Sequence, residues 1–145
     1  MRTNLPLDEL GDLLEQPIVA VLATYRKDGS VLLSPVWFEW CDGGFNVWLG
    51  GSSESGKGRH IAADPRARIV VHEQVLPYRG VEASGRATLS REGFIDVVRR
   101  TAARYYGPEA GDSFAAAYPN GGVMVRLVPD LIRAWDSKDE IAGNG

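Results

Sequence analysis

Cysteine is almost missing: Cys41 is the only one in 145 residues, which excludes an intramolecular disulfide and any multi-cysteine zinc or iron–sulfur site. Histidine is nearly as scarce. His60 and His72 have no spacing from Cys41 that would mark a nucleophile with its base, and Glu39, Glu73 and Glu82 scatter along the chain without a shared period. No catalytic side-chain constellation and no metal site are therefore expected. Positive charge is also in deficit, with 16 Lys and Arg against 19 Asp and Glu, so a nucleic-acid backbone is not the expected partner. No apolar run reaches membrane-spanning length, and MRTNLPLDEL lacks a basic stretch followed by an apolar core. The expectation is a cytoplasmic protein without a membrane partner.

What is present suffices for one core. At this length a single domain, residues 1–145, removes roughly 70% of the unfolded chain's surface from water and needs no covalent staple. Leucines at 3 and 4 spacing predict a short amphipathic helix over Leu5–Glu15, ended by Pro17. Ile18–Tyr25 (IVAVLATY) is apolar without alternation and reads as a strand buried on both faces. Asp28-Gly29 then marks a hairpin into Val31–Trp40 (VLLSPVWFEW), and Asp42-Gly43-Gly44 a second one into Phe45–Leu49. Together these predict a three-stranded meander. Pro35, inside a strand, cannot donate to a ladder and marks an edge, a bulge or a place where a ligand faces the backbone.

Further along, Lys57–Asp64 predicts a two-turn helix, and Ala67–Gln74 and Gly80–Leu89 two more strands. Arg91–Tyr106 has the best helical periodicity, Pro108–Tyr118 follows as an Ala-rich helix, and Val123–Trp135 closes the chain as a strand interrupted at Pro129. Six strands in hairpin order with inserted helices define an α+β fold, a small antiparallel barrel.

The stretch GGSSESGKGRHIAADPR carries the clearest chemistry. Its glycines let a ligand approach the backbone, its serines offer hydroxyls and a helix cap, and Lys57 and Arg59 place full charges at a positive helix start. That combination suits a phosphate monoester. It is not a Walker A loop, since no GK[ST] follows the glycines. A solvated Gly/Ser hinge with surface cations is the plainer reading of the same residues.

SPVWFEW, the Gly/Ser loop with its S-x-K-x-R-H-I-x-A-D-P-R continuation, and LPYRGVEASGR occur in that order. On these motifs the chain resembles, from about Ile18 to Trp135, the flavin/deazaflavin oxidoreductases of the pyridoxamine 5'-phosphate oxidase-like superfamily. The resemblance implies a six-stranded antiparallel split β-barrel that binds its cofactor at the interface of a homodimer. By the same resemblance Ser53, Ser55, Lys57 and their neighbours hold the cofactor phosphate, and the backbone of Ser34, Pro35, Val36 and Trp37 faces the ring. Arg59 and Tyr78 with Arg79 would line the site, the latter two from either subunit, and Arg126 would stabilise negative charge on a reduced ring. The family's K-x-R-N appears here as Lys57-Gly58-Arg59-His60, so His60 replaces the usual Asn, and Ser55 stands where an Arg is often found. Coenzyme F420 is the cofactor the resemblance favours, with FMN the alternative. The implied activity is hydride transfer to a small conjugated molecule, and a non-catalytic flavin- or heme-binding role is the competing class.

Overall fold

The computed structural model describes residues 1–52 and 55–142. The elements in chain order are β1 (Arg2–Thr3), two 3-10 turns (Leu7–Leu10 and Leu13–Glu15), β2 (Ala20–Tyr25), β3 (Val31–Val36), β4 (Glu39–Cys41) and β5 (Gly44–Gly50). They continue with α1 (Gly56–Ala63), β6 (Arg66–His72), β7 (Gly80–Ser90), α2 (Phe94–Tyr106), α3 (Ala110–Ala116), β8 (Val123–Asp136) and α4 (Lys138–Ala142). All pairings are antiparallel, and the strand order is β3-β2-β6-β7-β8-β5-β4, with β1 added beside β8.

The two ends of that order, β3 and β4, are halves of one chain segment. The sequence reads Val31–Trp40 as a single strand in a meander, whereas its first half pairs with β2 and its second with β5. The sheet thus curls until its ends meet at Trp37 and Phe38, where chain connectivity replaces a ladder. This is the split of the barrel. Two strands beyond the six expected arise from this division and from β1. Pro35 lies on β3, which pairs only with β2, so the missing N–H falls on an edge strand.

Alternation fills the barrel. Leu22, Phe38, Phe45, Ile69, Val71, Val81, Val125 and Leu127 point inward and are fully enclosed. Each contributes roughly 1.5–3 kcal/mol by leaving water. The outer face of β2 departs from the expectation of burial on both sides, since Val21, Ala23 and Tyr25 alternate with buried Ala20, Leu22 and Thr24 and remain half-exposed. The predicted helix over Leu5–Glu15 is also replaced. Gly11 takes a left-handed φ of +59°, which breaks the helix into two 3-10 turns, while Leu10 and Leu13 still reach the core.

A second apolar cluster lies outside the barrel. Trp48 and Met124 pair across β5 and β8 on the outer face, and α2 covers them with Phe94, Val97 and Val98. The periodicity of Arg91–Tyr106 therefore reports this contact, although the helix itself starts at Phe94. Where β8 meets Pro129, its register against Ser84 and Gly85 shifts by one residue, so the interruption is a bulge rather than a break.

Candidate functional site

At the split the backbone has no neighbouring strand, and side chains of α2 take the ladder's place. The Phe38 N–H donates to Tyr105 Oη at 3.3 Å, and that hydroxyl donates to the Ile18 carbonyl at 2.6 Å. Arg104 donates to the Phe38 carbonyl. These contacts hold the Trp37–Phe38 backbone in a fixed course, as the burial of polar main chain demands. Trp37 stacks on Tyr105 and meets Trp48 edge-on at 5.9 Å.

Beside this seam opens a cavity of about 290 Å³ lined by Pro35, Val36, Trp37, Val47, Trp48 and Lys57. Residues from the strand motif and from the Gly/Ser loop, about twenty positions apart in sequence, thus meet in one place. Ser55 caps α1 by accepting the Gly58 N–H at 3.2 Å, and the Gly56 and Lys57 amides precede that capped donor at the positive end of the helix dipole. Lys57 has no carboxylate partner among the described residues, so its ammonium is available to an anion. Ser34 is buried on β3 next to this lining.

The remaining candidates distribute differently. His60 turns toward the barrel, with Nδ1 3.1 Å from the hydroxyl of fully buried Thr24, a contact whose donor depends on the imidazole tautomer. Arg59 is exposed on α1, and Ser53 lies outside the described residues. Tyr78 sits on the exposed β6–β7 connection and does not line the cavity.

Arg79 and Arg126 do not line this cavity within one chain, and both are engaged elsewhere. All three guanidinium nitrogens of Arg79 are engaged: Nε and Nη2 with Glu73, and Nη1 with the Leu10 carbonyl and Asp12. Pairing with Arg79 holds the Glu73 carboxyl below its usual range despite burial. Arg79 therefore braces the β6–β7 connection and the amino-terminal turns. Arg126, between inward Val125 and Leu127, faces outward and donates to Asn46 Oδ1 and to the carbonyls of Cys41 and Asp42. Gly44 lies directly beneath it, and a Cβ there would sit 2.9 Å from the guanidinium carbon, so a larger residue would displace the Arg126 head. Asn46 in turn donates to Glu39, which accepts from Arg100 on α2, so the network ties β8, β5, β4 and α2 together.

This network was not legible in the sequence, since its bonded members are separated by up to 85 positions and share no period. Tyr105 was equally hidden. Its helical spacing marks it as a packing residue, and only the fold shows that its hydroxyl serves the barrel seam.

The model of the pyridoxamine 5'-phosphate oxidase family matches residues 7–136, and the chain belongs to that family. Among solved structures, it is similar to a conserved hypothetical protein of Mycobacterium tuberculosis, at 24% identity and a TM-score of 0.79, covering 94% of this chain and 88% of the other. It also superposes on a protein described as an F420 reductase, at 25% identity and a TM-score of 0.67, covering 83% and 93% of the two chains. The heme storage protein of Vibrio cholerae shares the fold at 17% identity, a TM-score of 0.67 and coverage of 90% and 94%. No curated protein matches. Among the described residues no helix is long and apolar enough to cross a membrane, and no group of metal-ligating side chains occurs.

Proposed function

We propose that this protein is an oxidoreductase that uses coenzyme F420 to transfer a hydride to or from a small conjugated organic molecule. The observation that carries the reading is the convergence of Lys57 with the Pro35–Trp37 backbone in one cavity. Lys57 and the amides at the start of α1 would hold the phosphate, and the seam backbone would lie along the ring. The cofactor would supply the hydride chemistry, and the protein its binding, orientation and exclusion of water. Trp37 and Trp48 would exclude water from the reacting face. Similarity to an F420 reductase favours the deazaflavin over FMN.

The cavity's volume lies at the lower edge of the range for small-molecule sites, roughly 300–1,000 Å³, so one chain supplies a ring-sized recess and further walls must come from elsewhere. A second copy of the chain would supply them. Val31, Leu33 and Pro35 are exposed on the outer face of β3, beside half-exposed Val21, Ala23 and Tyr25 of β2. Covering this apolar face in a homodimer would account for the unbroken apolar run of Ile18–Ala23, and would set two equivalent cofactor sites near the interface. We place the enzyme in the cytoplasm, where a lone thiol such as Cys41 stays reduced.

A flavin or heme reservoir is the competing class. Neither His60 nor His72 lines the cavity within one chain. Side-by-side fluorescence titration of F420 and FMN tests the assignment: saturable F420 binding supports it, and tight FMN binding without F420 binding overturns it.

A further inference from the structure

Outside the cofactor cavity, at the turn joining α2 to α3, lies a larger recess of about 510 Å³. Its walls are the rings of Tyr106 and Phe114 with Pro108 and Ala110, and its polar groups are few, chiefly Glu109 and the Ser113 hydroxyl. Tyr106 is 73% exposed, an unusual position for a ring at the end of an amphipathic helix whose apolar face is otherwise covered.

The two cavities adjoin at one side chain. Trp37 lines the smaller, and its indole lies 5.7 Å from the Phe114 ring and 6.5 Å from the Tyr106 ring, both of which line the larger. Tyr106 and Phe114 also face each other at 5.9 Å, so three rings form a continuous aromatic surface running from the seam to the helix turn. The β3–β4 seam and the α2–α3 turn are remote in sequence, and the recess opens on the α2–α3 side of this ring cluster.

We propose that this recess binds a neutral, planar aromatic molecule, the apolar body of the acceptor substrate, with its reacting end toward Trp37. The inference rests on the cofactor reading above only for the word acceptor. The volume suits a molecule of two or three fused rings. Stacking against Tyr106 and Phe114 supplies the affinity, since aromatic pairs gain beyond their buried area. Glu109 at the edge, with no cation paired to it among the described residues, repels anions and sets the preference for a neutral ligand. With so few polar groups, selection is by shape and charge, and a range of flat substrates is accommodated.

The test uses the full chain and two naphthalene probes that differ in charge, 2-naphthol and the anionic 2-naphthoate, followed by tryptophan quenching. Saturable binding of 2-naphthol is expected, weakened about tenfold by Phe114→Ala and by Tyr106→Ser, the latter at an exposed position that leaves the fold intact. 2-Naphthoate should bind about tenfold more weakly than 2-naphthol, with the gap narrowed by Glu109→Gln. F420 affinity in Tyr106→Ser should stay within about twofold of the parent. Absence of saturable 2-naphthol binding, or binding that both ring substitutions leave unchanged, overturns the proposal. Ring-dependent 2-naphthol binding without any F420 or FMN binding supports the pocket and overturns the cofactor reading instead.

Discussion

Tyr105 lies flat against Trp37, with ring centroids 4.8 Å apart and planes within 5°, while its hydroxyl bridges the Phe38 N–H and the Ile18 carbonyl. One side chain of α2 thus holds both the indole at the cavity and the main chain where the barrel splits. Tyr105→Phe keeps the stack and strands two half-buried backbone groups, and should cost about 1–3 kcal/mol in denaturant unfolding. Tyr105→Ala should cost more and shift the Trp37 emission to longer wavelength, because the indole loses its cover. Equal stability of Tyr105→Phe and the parent would show that the seam does not depend on this bridge.

The Arg79 ion pairs predict a separation of stability from binding. Glu73 is buried and Arg79 nearly so, so Arg79→Ala leaves an uncompensated carboxylate beneath the amino-terminal turns. A loss of about 2–4 kcal/mol is expected, with cofactor affinity unchanged. Reduced cofactor affinity at full stability would restore Arg79 to the binding site.

Arg2 and Asp136 give a pH dependence. Asp136 is fully enclosed, accepts from Arg2 at 2.6 and 2.8 Å, and titrates at about 2 because of that pairing, well below the ordinary 3.8. A carboxyl whose folded value is depressed stabilises the fold fully above its unfolded value, and the contribution disappears as pH falls from about 4 through about 2. Arg2 is partly exposed, so solvent screening keeps the contribution small. Thermal unfolding of Arg2→Ala and the parent should differ at pH 7 and converge near pH 2. A difference that persists at low pH would place its origin elsewhere than this pair.

The apolar outer face of β2 and β3 predicts the oligomeric state. Leu33, 64% exposed, lies across from Ala23 in the middle of that face. Light scattering should give twice the chain mass for the parent and the single-chain mass for Leu33→Glu, since a buried unpaired carboxylate opposes association. A monomeric parent would remove the second copy from the account.

Much of the fold follows from local pattern. The hairpin turns, the strand periods of β6 and β7 and the apolar stripe of α2 are all short-range signals, and each produced an element in the expected place. The departures have long-range causes. Val31–Trp40 looks like one strand because nothing in its own residues shows that Tyr105, about 70 positions away, takes over the hydrogen bonds at Phe38. The amino-terminal leucines keep helical spacing, yet a single left-handed residue, Gly11, divides them. Pro35, Val36, Trp37 and Lys57 line one cavity although their motifs are about twenty positions apart, whereas Arg79 and Arg126 are engaged within the chain by ion pairs and carbonyls whose partners cannot be read from either motif.

The central claim is that the Lys57–Trp37 cavity holds a phosphorylated ring cofactor. Titration of F420 into the parent and Lys57→Ala in parallel, at fixed low salt, tests it most directly, since Lys57 carries no ion pair among the described residues and its loss should leave the fold intact. The account predicts saturable binding to the parent and at least about tenfold weaker binding to Lys57→Ala, as expected when a charge-assisted contact to phosphate is removed. Indistinguishable binding curves for the two proteins would contradict it.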